Sequence, residues 1–260
     1  MSQFLDPKND LAFKRIFGKE RNKDILIHFL NDIFAGIVAP IVDVDFLSPN
    51  QDPEIAAERK NSVDVLCKDN QGRHVIIEMQ VANEAGFEKR AQHYAAKTYI
   101  EQRDKGIAYK DLKEVIFLAI LQGSLTPSDE DPEFLSHHHM LNIKNHKRQL
   151  KDFSFSFIEL SKFKKKKTEL HTIVDKWAYF FKSASKTQKE DLEAIIGSDL
   201  VIKRAYSELD RYGWSVDDLR VYDSIDRKQC ADKAILEQAI AEGLAKGEAI
   251  GEAKVKIEMA

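Results

Sequence analysis

The chain has 260 residues, enough for one well-buried α/β core with a smaller appended unit, and its 43% apolar content excludes a disordered or fibrous protein. A formal net charge of −3 excludes a protein that coats nucleic acid indiscriminately, while 40 Lys and Arg residues leave room for a basic face. The 2 cysteines, Cys67 and Cys230, lie too far apart for a zinc knuckle or a disulfide framework, and no run reaches the roughly 18 to 20 apolar residues of a membrane helix.

The first residues lack the apolar stretch of a signal peptide, so a cytoplasmic, reducing location without a membrane is expected. Asp6 and Pro7 read as the cap and first position of a short helix carrying Leu11, Phe13, Ile16 and Phe17, which stops at Gly18. A second helix is expected over 22–35, where Ile25, Leu26, Phe29, Leu30, Ile33 and Phe34 recur at helical spacing. Residues 41–47 alternate as a strand, and Pro49 and Pro53 mark a loop. Two β-rich runs, 62–68 and 73–81, flank Asp69-Asn70-Gln71-Gly72, a turn composition, and so predict a hairpin.

After Gly86 the pattern becomes helical, with Phe87, Ala91, Tyr94, Ala95 and Thr98 on one face and Lys105-Gly106 at the end. Strands are expected over 115–121 and 153–160, separated by a polar loop that contains His137, His138 and His139. Three adjacent imidazoles cannot converge on one ion in regular structure, so no transition-metal site is expected there. Beyond Lys167 the chain reads as helical, with Ile173, Trp177, Phe180 and Phe181 forming a face that packs on the core. In the Ala/Glu/Lys-rich tail, Gly243, Gly247 and Gly251 recur every four residues and weaken a helix unless a partner packs closely. These readings divide the chain into a core, 1–165, a helical region, 166–230, and a helical tail, 231–260, through which copies would self-associate.

The hairpin brings separated residues together. Its turn allows two registers, with Asp64 opposite Ile77 or Glu78, and a three-residue loop over 70–72 gives the second. Val63, Val65 and Cys67 then share a face with Val75, Ile77, Met79 and Val81, while Asp64, Glu78 and Gln80 occupy the other. Opposed carboxylates repel at such separations, and a cation relieves the repulsion. Mg²⁺ favours such a pair together with phosphate oxygens, which suits phosphodiester chemistry. A solvated polar row on an edge hairpin would look the same, and spacing alone does not separate the two.

Asp64-x13-Glu78-x-Gln80 across a hairpin resembles the active-site signature of the PD-(D/E)XK nuclease superfamily. Several further segments are similar to its recombination-promoting nuclease branch, also described as a PD-(D/E)XK nuclease family transposase branch. They are Asp6-Pro7-Lys8-Asn9-Asp10 with Phe13-Lys14-Arg15-Ile16-Phe17-Gly18, then Arg90-x3-Tyr94, and Phe157-Ile158-Glu159-Leu160 with Lys162-Phe163. The resemblance spans about residues 4–180. It implies an α/β, restriction-endonuclease-like core with a central mixed β-sheet flanked by helices, plus a helical C-terminal region. It also implies metal-dependent hydrolysis of DNA, with Asp64, Glu78 and the Met79 carbonyl as ligands of Mg²⁺, for which Mn²⁺ can substitute.

Two positions depart from the pattern. Val63 stands in the proline position and Gln80 in the lysine position, so the cation that would orient water and offset phosphate charge is missing. Asp10 is a further candidate ligand, although an acidic residue in a first helical turn is also ordinary dipole compensation. Candidate DNA contacts are Lys14, Arg15, Arg90 and Tyr94 near the cleft, and the run Lys164, Lys165, Lys166 and Lys167. No phosphate loop or dinucleotide fingerprint appears, so no nucleotide cofactor is expected. Alternatives from the same residues are a catalytically weak DNA-binding or recombination-accessory module and a defence or toxin nuclease.

Overall fold

The run VIFLAIL has no polar alternation, so a strand made of it needs cover on both faces. In the computed structural model, which describes residues 3–47, 63–81, 85–126 and 130–258, it is one of the two middle strands of a sheet. Helices α1 (Asp10–Phe17) and α2 (Lys23–Ile33) lead into β1 (Val44–Phe46), β2 (Val65–Asp69) and β3 (His74–Gln80). Helix α3 (Phe87–Asp104) then crosses to β4 (Val115–Leu121), followed by β5 (Leu135–His139) and β6 (Phe153–Glu159). The remainder is α4 (Ile173–Ser183), α5 (Leu192–Ile196), α6 (Leu200–Glu208) and α7 (Val216–Glu258).

The strand order is β1-β2-β3-β4-β6-β5, with β3, β4 and β6 parallel and the other pairs antiparallel. This is the mixed α/β sheet flanked by helices that the sequence led us to expect. The parallel centre follows from α3, because two strands can run the same way only with a crossover between them. Phe87, Ala91, Tyr94 and Ala95 of that helix share a core cluster with Leu66, Ile76, Phe117 and Ala119. On the other face, Val65 meets the end of α1. There a Cβ on Gly18 would lie 3.5 Å from Val65 Cγ2, an ordinary contact, and 3.0 Å from the Lys14 carbonyl oxygen, so what crowds this position is the last turn of the helix itself.

Helices α1, α2 and α4 close over an aromatic cluster. The ring centres of Phe17 and Phe29 lie 5.1 Å apart and those of Phe13 and Phe17 5.0 Å apart, both pairs tilted, while Phe29 and Trp177 meet edge to face at 5.0 Å, all fully buried. The expected apolar face of α4 therefore packs as read, except that Ile173 stays half-buried.

Four expectations are revised. Helix α1 starts at Asp10 with Asn9 as its cap, because Asp6 Oδ1 instead accepts the backbone N–H of Lys8 in a turn that precedes the helix. Strand β1 begins at Val44, since the Asn31 side chain takes both the N–H and the carbonyl of Ile41 out of the ladder. The polar stretch before β6 contains β5, an edge strand in which His137 Nδ1 lies 2.8 Å from Ser156 Oγ. Finally, the carboxylate-bearing face of the hairpin is also core, with Leu66 and Ile76 buried under α3. The loop expected at Pro49 and Pro53 lies outside the described residues.

By contact, the chain divides into one unit, Met1–Ser215, and a second, Val216–Ala260. The boundary expected near 165 therefore falls inside the first unit, and that near 230 falls inside α7. No helix among the described residues is long and apolar enough to cross a membrane.

Candidate active site

The hairpin turn sets the register. Asp69 and Arg73 bracket a loop of Asn70, Gln71 and Gly72, in which Gly72 has φ +83° and its N–H bonds to the Asp69 carbonyl at 2.9 Å. Arg73 Nε lies 2.6 Å from Asp69 Oδ2, both side chains being buried, and this pair fastens the turn. Pairing of Val65 with Ile77 follows, and one residue further on Asp64 stands opposite Glu78.

At that point the ladder changes character. Where backbone would bond to backbone, Met79 N–H donates to Asp64 Oδ2 at 2.8 Å and Asp64 N–H donates to Glu78 Oε2 at 3.1 Å. Each carboxylate thus has one oxygen fixed by an amide, and the remaining oxygens face cations. Lys14 Nζ is 3.7 Å from Asp64 Oδ1, and Arg90 Nη2 is 3.8 Å from Glu78 Oε1.

Burial, and then the neighbouring Asp64 charge, push the Glu78 carboxyl up to about 8. Burial likewise raises Asp64 to about 6, against the Met79 amide and Lys14, which favour its ionised form. Two such desolvated, mutually repelling carboxylates are an arrangement that a hard cation stabilises. The donor set fits a divalent ion of that kind: oxygen ligands fixed by amides, with no sulfur or imidazole among them. Among the described residues no group of three or more His, Cys, Asp or Glu side chains is arranged to hold an ion.

The other candidates fall into separate groups. Gln80 lies at the C-terminal end of β3, where Arg90 Nη2 donates to its Oε1 at 2.5 Å. Arg90 itself sits over the rings of Phe87, at 5.0 Å, and Tyr94, at 6.0 Å, and Tyr94 is buried in the core beneath α3. Asp10 Oδ1 lies 2.7 Å from Lys14 Nζ, one turn apart on α1. Burial opposes the Lys14 ammonium, yet the Asp10 hydrogen bond and the charges of Asp10, Asp64 and Glu78 together raise it.

Arg15 is committed elsewhere: its guanidinium bonds Glu208 at 3.2 Å and the Gly213 carbonyl at 3.1 Å, and it stacks 4.3 Å above Trp214. The lysine run is exposed and follows β6, whose end, Glu159, shares a row with Leu121 and Gln80. Two members are ion-paired, Lys165 with Asp175 and Lys167 with Asp191, both at 2.7 Å. Lys162 is buried against Glu159 at 2.6 Å and so does not extend the exposed run.

Sequence reasoning did not foresee that Arg90 holds Gln80 or that Lys14 joins Asp10 to Asp64. The available signal for the first was an arginine in the opening turn of the helix after β3. For the second it was the i,i+4 spacing of Asp10 and Lys14.

A family model described as PD-(D/E)XK nuclease family transposase matches residues 7–239. Comparisons with curated proteins and with solved structures return no match.

Proposed function

Since the chain belongs to the PD-(D/E)XK nuclease family transposases, we propose that it is a divalent-metal-dependent DNA endonuclease in which Asp64 and Glu78 are the metal ligands. The observation that carries this reading is the replacement of ladder bonds by carboxylates at the end of the hairpin, which fixes one oxygen of each and leaves Asp64 Oδ1 and Glu78 Oε1 to neighbouring cations. Mg²⁺, or Mn²⁺ in its place, would supply Lewis acidity and a nucleophilic water at neutral pH. The Met79 carbonyl, on the residue whose amide holds Asp64, would add a third oxygen.

The chain's own residues then position the substrate. Gln80, whose Oε1 accepts from Arg90, would place a neutral amide beside the pair where the family's pattern has a lysine, which brings polarity without charge. The exposed Lys164 and Lys166, beyond the end of β6, would contact the DNA backbone. A link to recombination or mobile-element processing follows from the family's description as transposase. The neutral Gln80 is the one feature that favours the rival reading of a catalytically weak DNA-binding module.

Cleavage of supercoiled plasmid with Mg²⁺, Mn²⁺, Ca²⁺ or EDTA tests the proposal. Nicking and linearisation with Mg²⁺ or Mn²⁺, and none with EDTA, are expected. Cleavage that persists in EDTA removes the metal mechanism, and DNA binding without cleavage under any metal favours the accessory module.

A further inference from the structure

We infer that Lys14, reaching in from α1, is the catalytic cation of this site, in the part that a lysine at position 80 would otherwise play. The inference rests on the reading of Asp64 and Glu78 as the metal pair.

Among the described residues, two positively charged side chains approach that pair. Arg90 comes from α3, is packed over Phe87 and Tyr94, and donates to Gln80, so its guanidinium is held as part of the wall. Lys14 comes from the opposite face of the hairpin. Its ammonium is anchored by Asp10 at 2.7 Å, stands off Asp64 Oδ1 at 3.7 Å, and keeps 39% of its side chain exposed. An ammonium at that looser distance, with three donors and solvent access, can meet a phosphate oxygen that arrives beside Asp64. The end of α1 lies against β2 at Val65, next to Asp64, and this places Lys14 beside the pair.

The chemistry balances without Lys14 losing its proton. A water oxygen bonds to phosphorus as one P–O ester bond breaks, the water's proton passes to solvent, and the departing alkoxide takes up a proton from solvent. Lys14 donates hydrogen bonds to the phosphate oxygen on which negative charge grows, where a preorganised donor is most effective. The charge missing at position 80 is thereby delivered from a different element.

The test compares wild type, Lys14→Met, Gln80→Lys, the double variant Lys14→Met/Gln80→Lys, and Asp64→Asn, by single-turnover cleavage and by calorimetric Mn²⁺ binding. Lys14→Met should lose about 10²-fold or more in rate, the size of effect known for one removed transition-state donor. It should bind Mn²⁺ at least as tightly as wild type, because a competing cation has gone. The double variant should regain about 10-fold or more, whereas Gln80→Lys alone should gain nothing.

Lys14→Met cleaving within about 3-fold of wild type, or a double variant no faster than Lys14→Met, overturns the role of Lys14 and leaves the metal pair standing. Loss of Mn²⁺ binding in Lys14→Met also overturns it, by making Lys14 a support of the metal pair. If instead Asp64→Asn cleaves and binds Mn²⁺ as wild type does, the reading of the pair itself falls, and the part given to Lys14 falls with it.

Discussion

Glu78 occupies a buried position in a central strand beside a second carboxylate, and the Asp64 amide, Arg90 at 3.8 Å and the Lys14 charge offset its own charge only in part. An arrangement of that kind costs the metal-free fold stability, as desolvated and repelling charges do. Glu78→Gln keeps an oxygen to accept from Asp64 N–H and, unlike a carboxyl pushed up to about 8, has no ionised form for the fold to desolvate or neutralise. In EDTA it should therefore melt no lower than wild type, and about 2 to 4 °C higher for each kcal/mol of relief in a domain of this size. A clear drop in melting temperature would make Glu78 a structural residue.

At the same scale, much of the site was legible beforehand. The three-residue turn, closed by Gly72, fixes the register that opposes Asp64 to Glu78, and turn chemistry is readable from Asp69-Asn70-Gln71-Gly72. What could not be read was where each cation would go. Lys14 and Arg15 are neighbours in sequence, but the helix turns one toward Asp64 and the other toward Glu208 and Trp214. That choice depends on how α1 packs against β2 and α6, contacts distant in sequence that no local pattern encodes.

Among the elements, the all-apolar β4 and the amphipathic α2 and α4 were read correctly because burial dominates their composition. β5 was missed because its sequence, Leu-Ser-His-His-His, is polar and lies on a sheet edge, where strand pairing does not require apolar alternation. Its histidines provide a prediction. Burial first, and then neighbouring positive charge, lowers His137 and His139 in β5 and His74 in β3 below 6.5. A lowered folded-state value means that the unfolded chain binds protons more readily. This contribution to stability is present above 6.5 and is lost as pH falls toward the folded-state values. Between about pH 7 and about pH 5.5, His137→Gln should accordingly gain melting temperature relative to wild type, because it lacks this loss, whatever slope the raised Asp64 and Glu78 carboxyls give both proteins. An identical slope in that variant would show that His137 is not among the groups responsible.

Across the whole molecule, the sequence indicated a helical C-terminal region, and the second unit is a continuous helix, Val216–Glu258. The sequence did not indicate where that unit begins. Residues 166–215 are helical as well, yet they belong with the sheet through contacts such as Phe29 with Trp177 that are distant in sequence. Within α7 a Cβ added at Gly243 or Gly247 meets nothing within 4 Å. Alanine at each should then stabilise the helix by about 0.5 to 1 kcal/mol, seen as a stronger helical circular-dichroism signal in Gly243→Ala/Gly247→Ala with cleavage unchanged. A weaker signal, together with a lower molecular mass in sedimentation, would mean instead that the glycines serve packing between copies.

Everything proposed about the chemistry converges on the carboxylate pair. Its most direct test is the rate at which Asp64→Asn cleaves plasmid DNA at saturating Mn²⁺, beside wild type and with folding checked by melting temperature. The variant should melt as wild type or higher and lose cleavage by at least about 10³-fold, as expected when a ligand of the catalytic metal is removed. A folded Asp64→Asn that cleaves at the wild-type rate would contradict the assignment of the active site.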